Sequence, residues 1–301
     1  MIATVVLSWN TSYAALACMQ SVDAARANAP ELVSQTILVN NNSTDENTAI
    51  ITDSLSGFPN WTYLYSDYNR GFAGGMNLGL NEAVAGDPAY VLFLNADTQL
   101  EPSFFQYLED YLQENTGKDW IGFTIKTPSQ AEPLTLGGYS YLSWFGVAIS
   151  CRPTTGLGLP VFRARCPDYI NGCAMMCSAP LLRESSGIPE HHFMYFEELE
   201  LSRFVKSRER IGVCEGGIVY HQGGAATAQL PNELHPSYLA ALACFSFTKR
   251  HMPWKLPSVL VSRLFWLALK SLWELDSQHL LGWFKAARQF IFHGRAKPSK
   301  E

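Results

Sequence analysis

Asp97 and His221 are residue types that bind metal ions, and both follow strand-like segments. Asp97 comes directly after the apolar run Tyr90–Leu94. A carboxylate at the mouth of a sheet can hold a hard cation, and that cation can hold a diphosphate. His221 ends the predicted strand Gly217–Tyr220 and precedes two glycines that would let the backbone approach a ligand. The alternatives are structural: Asp97 as the cap of a turn, and His221 as a hydrogen-bonded residue at a strand end.

An acidic cluster follows an aromatic segment. Glu197, Glu198 and Glu200 come after the run Phe193–Phe196. Carboxylates packed against aromatic rings lose solvation and repel one another, which raises the pKa of at least one and makes it a usable general base. The alternative is the solvated first turn of a helix, because the apolar residues after Glu200 continue with helical spacing. His191, His192 and His251 are expected at the surface.

The segment Asn69–Asn77 is rich in glycine but does not match the dinucleotide-binding pattern GxGxxG. We expect a turn at Gly71–Gly75 that opens a helix to about Val84 and offers backbone N–H groups to a phosphate. A tight turn without a ligand is the alternative. The chain has no Walker, zinc-finger, HExxH or GxSxG motif, which argues against a P-loop NTPase, a common zinc protease and a serine hydrolase of the usual kind.

An α/β fold is predicted to position these segments. The predicted strands of the first hundred residues are Ile2–Leu7, Thr36–Val39, Trp61–Tyr65 and Tyr90–Leu94. Helical patterns at Tyr13–Asn28, Thr44–Leu55 and after Gly71 separate them, which predicts a mostly parallel sheet with helices on both faces. In such sheets ligands bind beyond the carboxyl ends of the strands, so the polar segments after them should meet along one edge. Residues 120–180 are rich in Gly and Pro and are interpreted as loops and short strands that suit a variable binding wall.

Composition narrows the function classes. The 301 residues are 47% hydrophobic and 16% charged, which excludes a disordered chain, a collagen-like chain and a long coiled coil. The net charge of -5 argues against a nucleic-acid partner. Seven cysteines without a CxxC pair indicate a reduced, cytoplasmic compartment. Met1–Asn10 has no basic flank and is interpreted as a strand rather than a signal peptide.

The C-terminal fifth differs from the rest in charge. Residues 236–301 have 10 basic and 3 acidic side chains, whereas residues 1–235 have 12 and 24. The apolar run Leu256–Trp273 is broken by Arg263 and Lys270, so a membrane-spanning helix is not expected. Arg263, Lys270 and Ser277 recur every seven residues, which fits an amphipathic element on an anionic membrane. A helical subdomain packed on the body or on a second subunit is the alternative.

Seven segments together resemble the family 2 glycosyltransferases of the GT-A fold, above all the bacterial rhamnosyltransferase-like branch. The resemblance covers Ile2 to about Gly224, with the motifs in the family's order. The segments, each similar to a family motif, are Val5–Asn10, Val39–Asp45 (VDNxSxD), Asn69–Gly79 (NxGFAxGNNxG), Leu94–Asp97 (LNxD), Asp168–Ala174 (DxVxGA), Phe196–Leu201 (FEDxDL) and His221–Gly224 (HxxG). The implied fold is a Rossmann-like, mostly parallel sheet flanked by helices, in a GT-A domain over residues 1–225 with a basic helical extension over 226–301.

The resemblance also implies roles for individual residues. Asp97 and His221 would hold Mg²⁺ or Mn²⁺ against the donor diphosphate, and Glu198 would be the general base, with Glu197 as the alternative base. Asp168 would help to hold the acceptor. The residues implied for the donor are Trp9, Asn10, Asn40, Asp45, Gly71, Asn77 and Asn95. Three positions depart from the family pattern: Asn40 replaces an aspartate, Glu198 replaces an aspartate, and Met76 replaces an asparagine.

The implied activity is inverting, metal-dependent transfer of a sugar in bacterial surface polysaccharide synthesis. The implied donor is a dTDP- or UDP-sugar, with dTDP-rhamnose as the expected one, and the acceptor is a glycan or a lipid-linked saccharide. The work would be cytoplasmic, with peripheral contact to the inner face of the cell membrane through residues 236–301. A catalytically inactive nucleotide- or glycan-binding module on the same fold is one alternative. A sugar-nucleotide pyrophosphorylase is another, but it needs a glycine-rich basic loop where Ser8–Thr11 stands.

Overall fold

The computed structural model describes residues 1–129, 133–151, 167–231, 234–274 and 278–293. Cys166 and Ser277 lie outside these ranges. The strands are β1 (Ile2–Ser8), β2 (Val33–Asn40), β3 (Trp61–Tyr65), β4 (Tyr90–Asn95), β5 (Thr98–Leu100), β6 (Trp120–Lys126), β7 (Thr135–Leu136), β8 (Gly138–Leu142), β9 (Val147–Ser150), β10 (Tyr169–Ile170), β11 (Ala174–Ser178) and β12 (Ile211–His221). The α-helices are α1 (Ser12–Arg26), α2 (Asp45–Ser54), α3 (Gly71–Ala83), α4 (Phe104–Glu114), α5 (Ala179–Glu184), α6 (Glu197–Leu201), α7 (Pro236–His251), α8 (Leu256–Glu274) and α9 (Gln278–His293).

The main sheet has a parallel half and a mixed half. Strands β3, β2, β1 and β4 lie side by side and parallel, as the alternation of strands and helices predicts. Strand β11 then runs antiparallel between β4 and β6, while β12 is parallel to β6 and antiparallel to β5. A second, antiparallel sheet has the order β10–β8–β9. The α/β class is confirmed, but residues 120–180 are more regular than the glycines and prolines indicate, because β6 and β11 are central strands.

Apolar side chains on the two faces of the main sheet form separate cores. Val6 and Leu94 pack on one face, whereas Val5 and Phe93 pack on the other. Alternate residues of a strand point to opposite faces, so a strand covered on both sides must be apolar throughout. The parallel sheet therefore requires the continuous apolar runs from which the strands were predicted.

The glycine-rich segment is helical rather than a turn, which corrects the expectation for Gly71–Gly75. Helix α3 begins at Gly71, whose φ of 74° is in the left-handed region. A Cβ added at Gly79 would lie 2.4 Å from Val5 Cγ1, so α3 packs against β1 more closely than any side chain would allow. Gly75 and Gly79 thus allow close packing on the sheet, whereas Gly71 lies against the backbone of Phe193.

The C-terminal helices form a third core that includes the loop before α6. Phe245 of α7, Val259 of α8 and Phe290 of α9 pack together, and residues 193–196 pack against this cluster. Within the described ranges, Pro253–Trp273 is the one helical segment long and apolar enough to cross a membrane by length and composition alone. Buried helices of soluble proteins pass the same test, but only 11% of this segment's apolar window is buried.

Candidate active site

A cavity of about 460 Å³ lies at the carboxyl ends of β1 and β4. Its floor includes Trp9 after β1 and Asn95–Asp97 after β4, so the convergence expected for a parallel sheet brings these two segments together. The loop 193–198 forms one side. Tyrosines of β8 and β10 and a residue of α8 continue the lining next to this loop. Polar groups from the main sheet therefore face a wall built by the second sheet and the C-terminal helices.

Asp97 and His221 form an ion pair on the cavity floor. Strand β12 pairs with β5, which follows Asp97 closely in the chain, and this brings His221 Nε2 to 3.2 Å from Asp97 Oδ1. Burial alone would raise the pKa of Asp97, but the hydrogen bond and charge of His221 lower it below its usual value. Burial would likewise lower the pKa of His221, but its interactions with Asp97 and Cys173 raise it to about 10. A carboxylate oxygen thus lies beside an imidazole nitrogen that becomes a metal ligand when His221 gives up its proton.

Glu198 is half-buried at the cavity wall and lies over Gly172. A Cβ added at Gly172 would lie 1.9 Å from Glu198 Oε1, so only glycine permits this approach. Burial raises the pKa of Glu198 to about 7, and hydrogen bonds from the backbone N–H groups of Gly172 and of Glu198 itself limit the rise. A carboxylate that titrates near neutral pH is suited to accept a proton.

Glu197 differs from Glu198 although the two are adjacent. Its side chain is buried, and Oε1 has no hydrogen-bond partner. Burial, and then the charge of Glu198, raise the pKa of Glu197 well above its usual value. The neutral acid is therefore the stable form of Glu197, and the geometry favours Glu198 as the group that can take up a proton.

The backbone before these acids is unusual. Tyr195 and Phe196 both have φ of 73°, in the left-handed region that non-glycine residues seldom adopt. The loop is fixed at its start, because Phe72 N–H donates to Phe193 O at 3.0 Å. It is fixed at its end by Glu200, which is buried and contacts α7. The two ends hold a conformation that aims α6 at the cavity.

Three of the seven donor-binding candidates line the cavity, namely Trp9, Gly71 and Asn95. Asn10 instead joins two loops, with its side chain accepting from Thr44 N–H at 2.8 Å. Asn77 joins α3 to the segment after α5 through Ile188 N–H and Ile188 O, both at 2.8 Å.

Asn40 and Asp45, the remaining two donor-binding candidates, do not line the cavity. Asn40 is fully buried and donates to Thr48 Oγ1 and Tyr63 OH. Asp45 is exposed in the first turn of α2. The segment that resembles VDNxSxD therefore orders the loop beside the cavity, and neither the Asn40 nor the Asp45 side chain reaches the cavity surface.

Asp168, the residue expected to hold the acceptor, contacts strand β8 and does not line the cavity. Its side chain accepts from Tyr141 N–H at 2.9 Å and forms an ion pair with Arg208. Tyr139 and Tyr169 stack at 5.5 Å between ring centroids and line the cavity beside Asn171. Tyr139, Tyr141 and Tyr169 form one side of the cavity, the tyrosine wall. The spacing of Tyr139 and Tyr141 was a sequence signal for this wall, because residues two apart in a strand share a face.

Sequence reasoning missed several further residues. His192 is buried and His251 is half-buried, and both contact Glu200, which corrects their assignment to the surface. The heptad spacing assigns Arg263 to an amphipathic element on an anionic membrane, but its side chain lines the cavity. Lys270 is exposed, as expected. Within the described residues, no group of three His, Cys, Asp or Glu side chains is arranged to hold a metal by itself.

The family model described as "Glycosyl transferase family 2" matches residues 7–180. No curated protein matches the chain significantly. Among solved structures, a mannosyltransferase from Pyrobaculum calidifontis in complex with GDP-Man and Mn²⁺ has a TM-score of 0.59 at 11% identity and covers 97% of this chain and 87% of its own. S. aureus TarS 1-349 has a TM-score of 0.53 at 13% identity, covering 96% and 91%, and its complex with UDP-GlcNAc has 0.52 at 13%, covering 98% and 92%. At these identities the likeness shows a shared GT-A fold.

Proposed function

The chain belongs to glycosyl transferase family 2 and is a glycosyltransferase. We propose that it transfers a sugar with inversion of configuration at the anomeric carbon and that it uses a divalent cation. The observation that supports this most directly is the placement of Glu198, with a pKa of about 7, in the same cavity as the Asp97–His221 pair. One wall then provides a proton acceptor and the floor provides ligand atoms for a cation.

Asp97 and His221 would hold Mg²⁺ or Mn²⁺ at the donor diphosphate. These two protein ligands fit such a cation, because one carboxylate and one imidazole leave coordination positions for water and phosphate oxygens. Magnesium is usually bound through few protein ligands plus substrate phosphates. The cation supplies Lewis-acid neutralisation of the charge on the departing nucleoside diphosphate. A relative of the same fold was solved with GDP-Man and Mn²⁺, which supports this assignment.

Glu198 would act as general base toward the acceptor hydroxyl. The proton passes to a Glu198 carboxylate oxygen as the hydroxyl oxygen forms a bond to the anomeric carbon. The bond from that carbon to the diphosphate oxygen breaks, and the nucleoside diphosphate leaves from the opposite face, which inverts the centre. Neutral Glu197 adds no second negative charge beside the base, and the tyrosine wall would position the acceptor saccharide.

The resemblance favours dTDP-rhamnose as donor and bacterial surface polysaccharide synthesis in the cytoplasm as the setting. Trp9, directly after β1, lines the cavity and would stack near the nucleotide base. Since Asn40 is buried behind this surface, we propose that it orders the base pocket indirectly.

Nucleotide binding tests the proposed function. Thermal unfolding with dTDP, UDP, GDP or CMP, each with Mn²⁺, Mg²⁺ or EDTA, is expected to show a metal-dependent shift with one nucleotide. A ligand at ~100 times its Kd adds about 2.7 kcal/mol to the free energy of unfolding. Asp97→Asn should abolish the metal dependence, whereas Glu46→Gln, on the exposed start of α2, should retain it. A folded protein that shifts with none of the nucleotides would contradict the proposed donor site and support an inactive glycan-binding module.

We also propose that α8 and α9 contact an anionic membrane. Large apolar side chains are exposed on both helices, including Leu272 (73%), Trp273 (89%) and Phe292 (74%). The charge excess of residues 236–301 would attract anionic lipid, and aromatic rings would sit at headgroup level.

Vesicle binding checks this contact. The full chain is expected to sediment with vesicles containing phosphatidylglycerol, and the double variant Leu272→Ser/Trp273→Ser should bind at least about tenfold more weakly, because the buried apolar area is lost. Tyr13→Ser, which removes an aromatic ring that is 75% exposed on α1, is the matched control. Equal sedimentation of the double variant and the wild type would contradict membrane contact and favour packing on a second subunit.

A further inference from the structure

Arg263 lies on the inner face of α8 and lines the cavity. Val259 and Leu267, four residues before and after it, are buried, so the three side chains share the face that points into the protein. The neighbouring residues Phe265 and Trp266 are exposed on the other side. A cationic side chain has thus been placed inward on a helix whose outer face is apolar.

The position of Arg263 is fixed by the hairpin between β8 and β9. Ser258 Oγ donates to Trp144 O at 2.9 Å, and Ser262 Oγ donates to Phe145 O, which ties one side of α8 to this hairpin. At Gly146, an added Cβ would lie 3.5 Å from Arg263 Cγ, so the side-chain stem passes beside the hairpin glycine. Arg263 therefore belongs to the tyrosine wall rather than to the floor with Asp97.

The guanidinium has no anionic partner within the described ranges. Arg263 Nε is buried without a hydrogen-bond partner. No described carboxylate lies within 4.0 Å of the guanidinium. Other described arginines, such as Arg183, also lack an ion pair, but among the described arginines a buried nitrogen without a hydrogen-bond partner is found at Arg263 alone. An arginine side chain is always charged, and leaving a charged donor unpaired in a cavity is costly unless a ligand provides the acceptor.

We propose that Arg263 binds an oxyanion of the acceptor, either a phosphate or a carboxylate. This inference rests on the proposed function, because it takes the tyrosine wall as the acceptor side. The planar guanidinium matches the geometry of both oxyanions. The acceptor class is thus an anionic saccharide: its charge lies on a phosphate that links the sugar to a carrier, or on a carboxylate of the sugar itself.

Calorimetric titration of the full chain, loaded with the nucleoside diphosphate and Mn²⁺, tests the proposal with three probes: glucose 1-phosphate, glucuronate and methyl glucoside. One anionic probe should bind more tightly than methyl glucoside. Arg263→Gln should weaken that probe by about 10- to 100-fold, the range for a charge-assisted hydrogen bond, and leave the nucleoside diphosphate within about twofold. Binding of glucose 1-phosphate assigns the anion to the carrier linkage, and binding of glucuronate assigns it to the sugar.

The controls separate the outcomes. Arg263→Lys keeps the charge and should retain part of the affinity, and Lys270→Gln, on the exposed side of α8, should change nothing. Equal binding of charged and neutral probes, or an Arg263→Gln effect on the nucleoside diphosphate alone, would overturn the proposal. If no nucleotide binds, the proposed function fails, and the same titration on the free protein still reports on the anion site.

Discussion

Glu198→Gln is expected to lower kcat by about 10²- to 10⁴-fold, the usual contribution of a general base. Glutamine preserves the size of the side chain and a carbonyl oxygen near Gly172 N–H, but it cannot take the proton of the acceptor hydroxyl. The measurement is release of the nucleoside diphosphate from the donor that the binding panel identifies. Donor binding should stay within a fewfold of the wild type, because the floor with Asp97 and His221 is unchanged.

The pH profile gives this prediction a second readout. Since burial raises the pKa of Glu198 to about 7, the wild-type rate should rise with pH through about 7 and then level off. Glu198→Gln should lose this rise of the rate with pH, the limb near pH 7. Glu197→Gln is the matched control: Glu197 is already neutral, so its variant should keep the limb and most of the rate. The opposite ranking of the two variants would assign the base to Glu197.

As the pH rises, the contribution of Glu198 to protein stability should fall while the activity rises. The pKa of Glu198 is raised in the folded state, so between its usual value of 4.5 and about 7 the folded protein binds more protons than the unfolded chain. The free energy of unfolding attributable to this group therefore falls as pH rises through that window. Glu198→Gln removes the penalty, so the variant should melt at a higher temperature than the wild type above pH 7. A variant that lost both activity and stability would indicate a structural role.

The parallel half of the fold could be predicted because its signals are local. Strands β1 to β4 are short apolar runs, and alternate residues of each run pack on opposite faces of the sheet. The glycines at 71–79 were ambiguous, since a turn and a helix packed tightly on a strand both require a missing side chain. Only the contact of Gly79 with Val5 distinguishes them.

The site could be predicted where its residues follow strands. Asp97 and Trp9 reach the cavity because the carboxyl ends of parallel strands meet. Arg263 could not be placed in this way, because a helix pattern does not say which neighbour will cover which face. The heptad spacing indicated an amphipathic element on an anionic membrane, whereas hydrogen bonds from Ser258 and Ser262 to the hairpin orient α8 so that Arg263 faces inward.

The contacts of Glu200 could not be predicted from the sequence either, and its substitution is expected to have a large effect on stability. Its carboxylate accepts from Arg250 Nη1 at 2.6 Å, His251 Nε2 at 2.7 Å and His192 Nε2 at 3.2 Å. Two of these partners are the last residues of α7, fifty positions away in the chain. Burial alone would raise the pKa of Glu200, but the histidine hydrogen bonds and the charges of His251 and Arg250 lower it to about 2. The cluster joins the C-terminal helices to the segment that holds Glu198.

Glu200→Gln is therefore expected to lower the free energy of unfolding at pH 7 by about 2–3 kcal/mol. Removing one partner of a fully buried pair costs about 3–5 kcal/mol, and the effect is smaller here because the Arg250 side chain is 41% exposed. Denaturant unfolding measures the change. Glu184→Gln is the matched control, since its pair with Lys206 is exposed on both sides and should contribute at most about 1 kcal/mol.

The pH dependence of the Glu200 effect distinguishes a lost charge from altered packing. A carboxylate with a lowered folded pKa stabilises the protein above its unfolded value of 4.5, and this contribution is lost as pH falls from 4.5 toward about 2. The difference between wild type and Glu200→Gln should thus begin to narrow near pH 4.5 and continue to narrow as the pH falls further. A constant difference down to pH 4 would mean that shape, not charge, fixes the loop. Because the cluster positions Glu198 without contacting substrate, kcat in folded Glu200→Gln should fall while the limb near pH 7 remains.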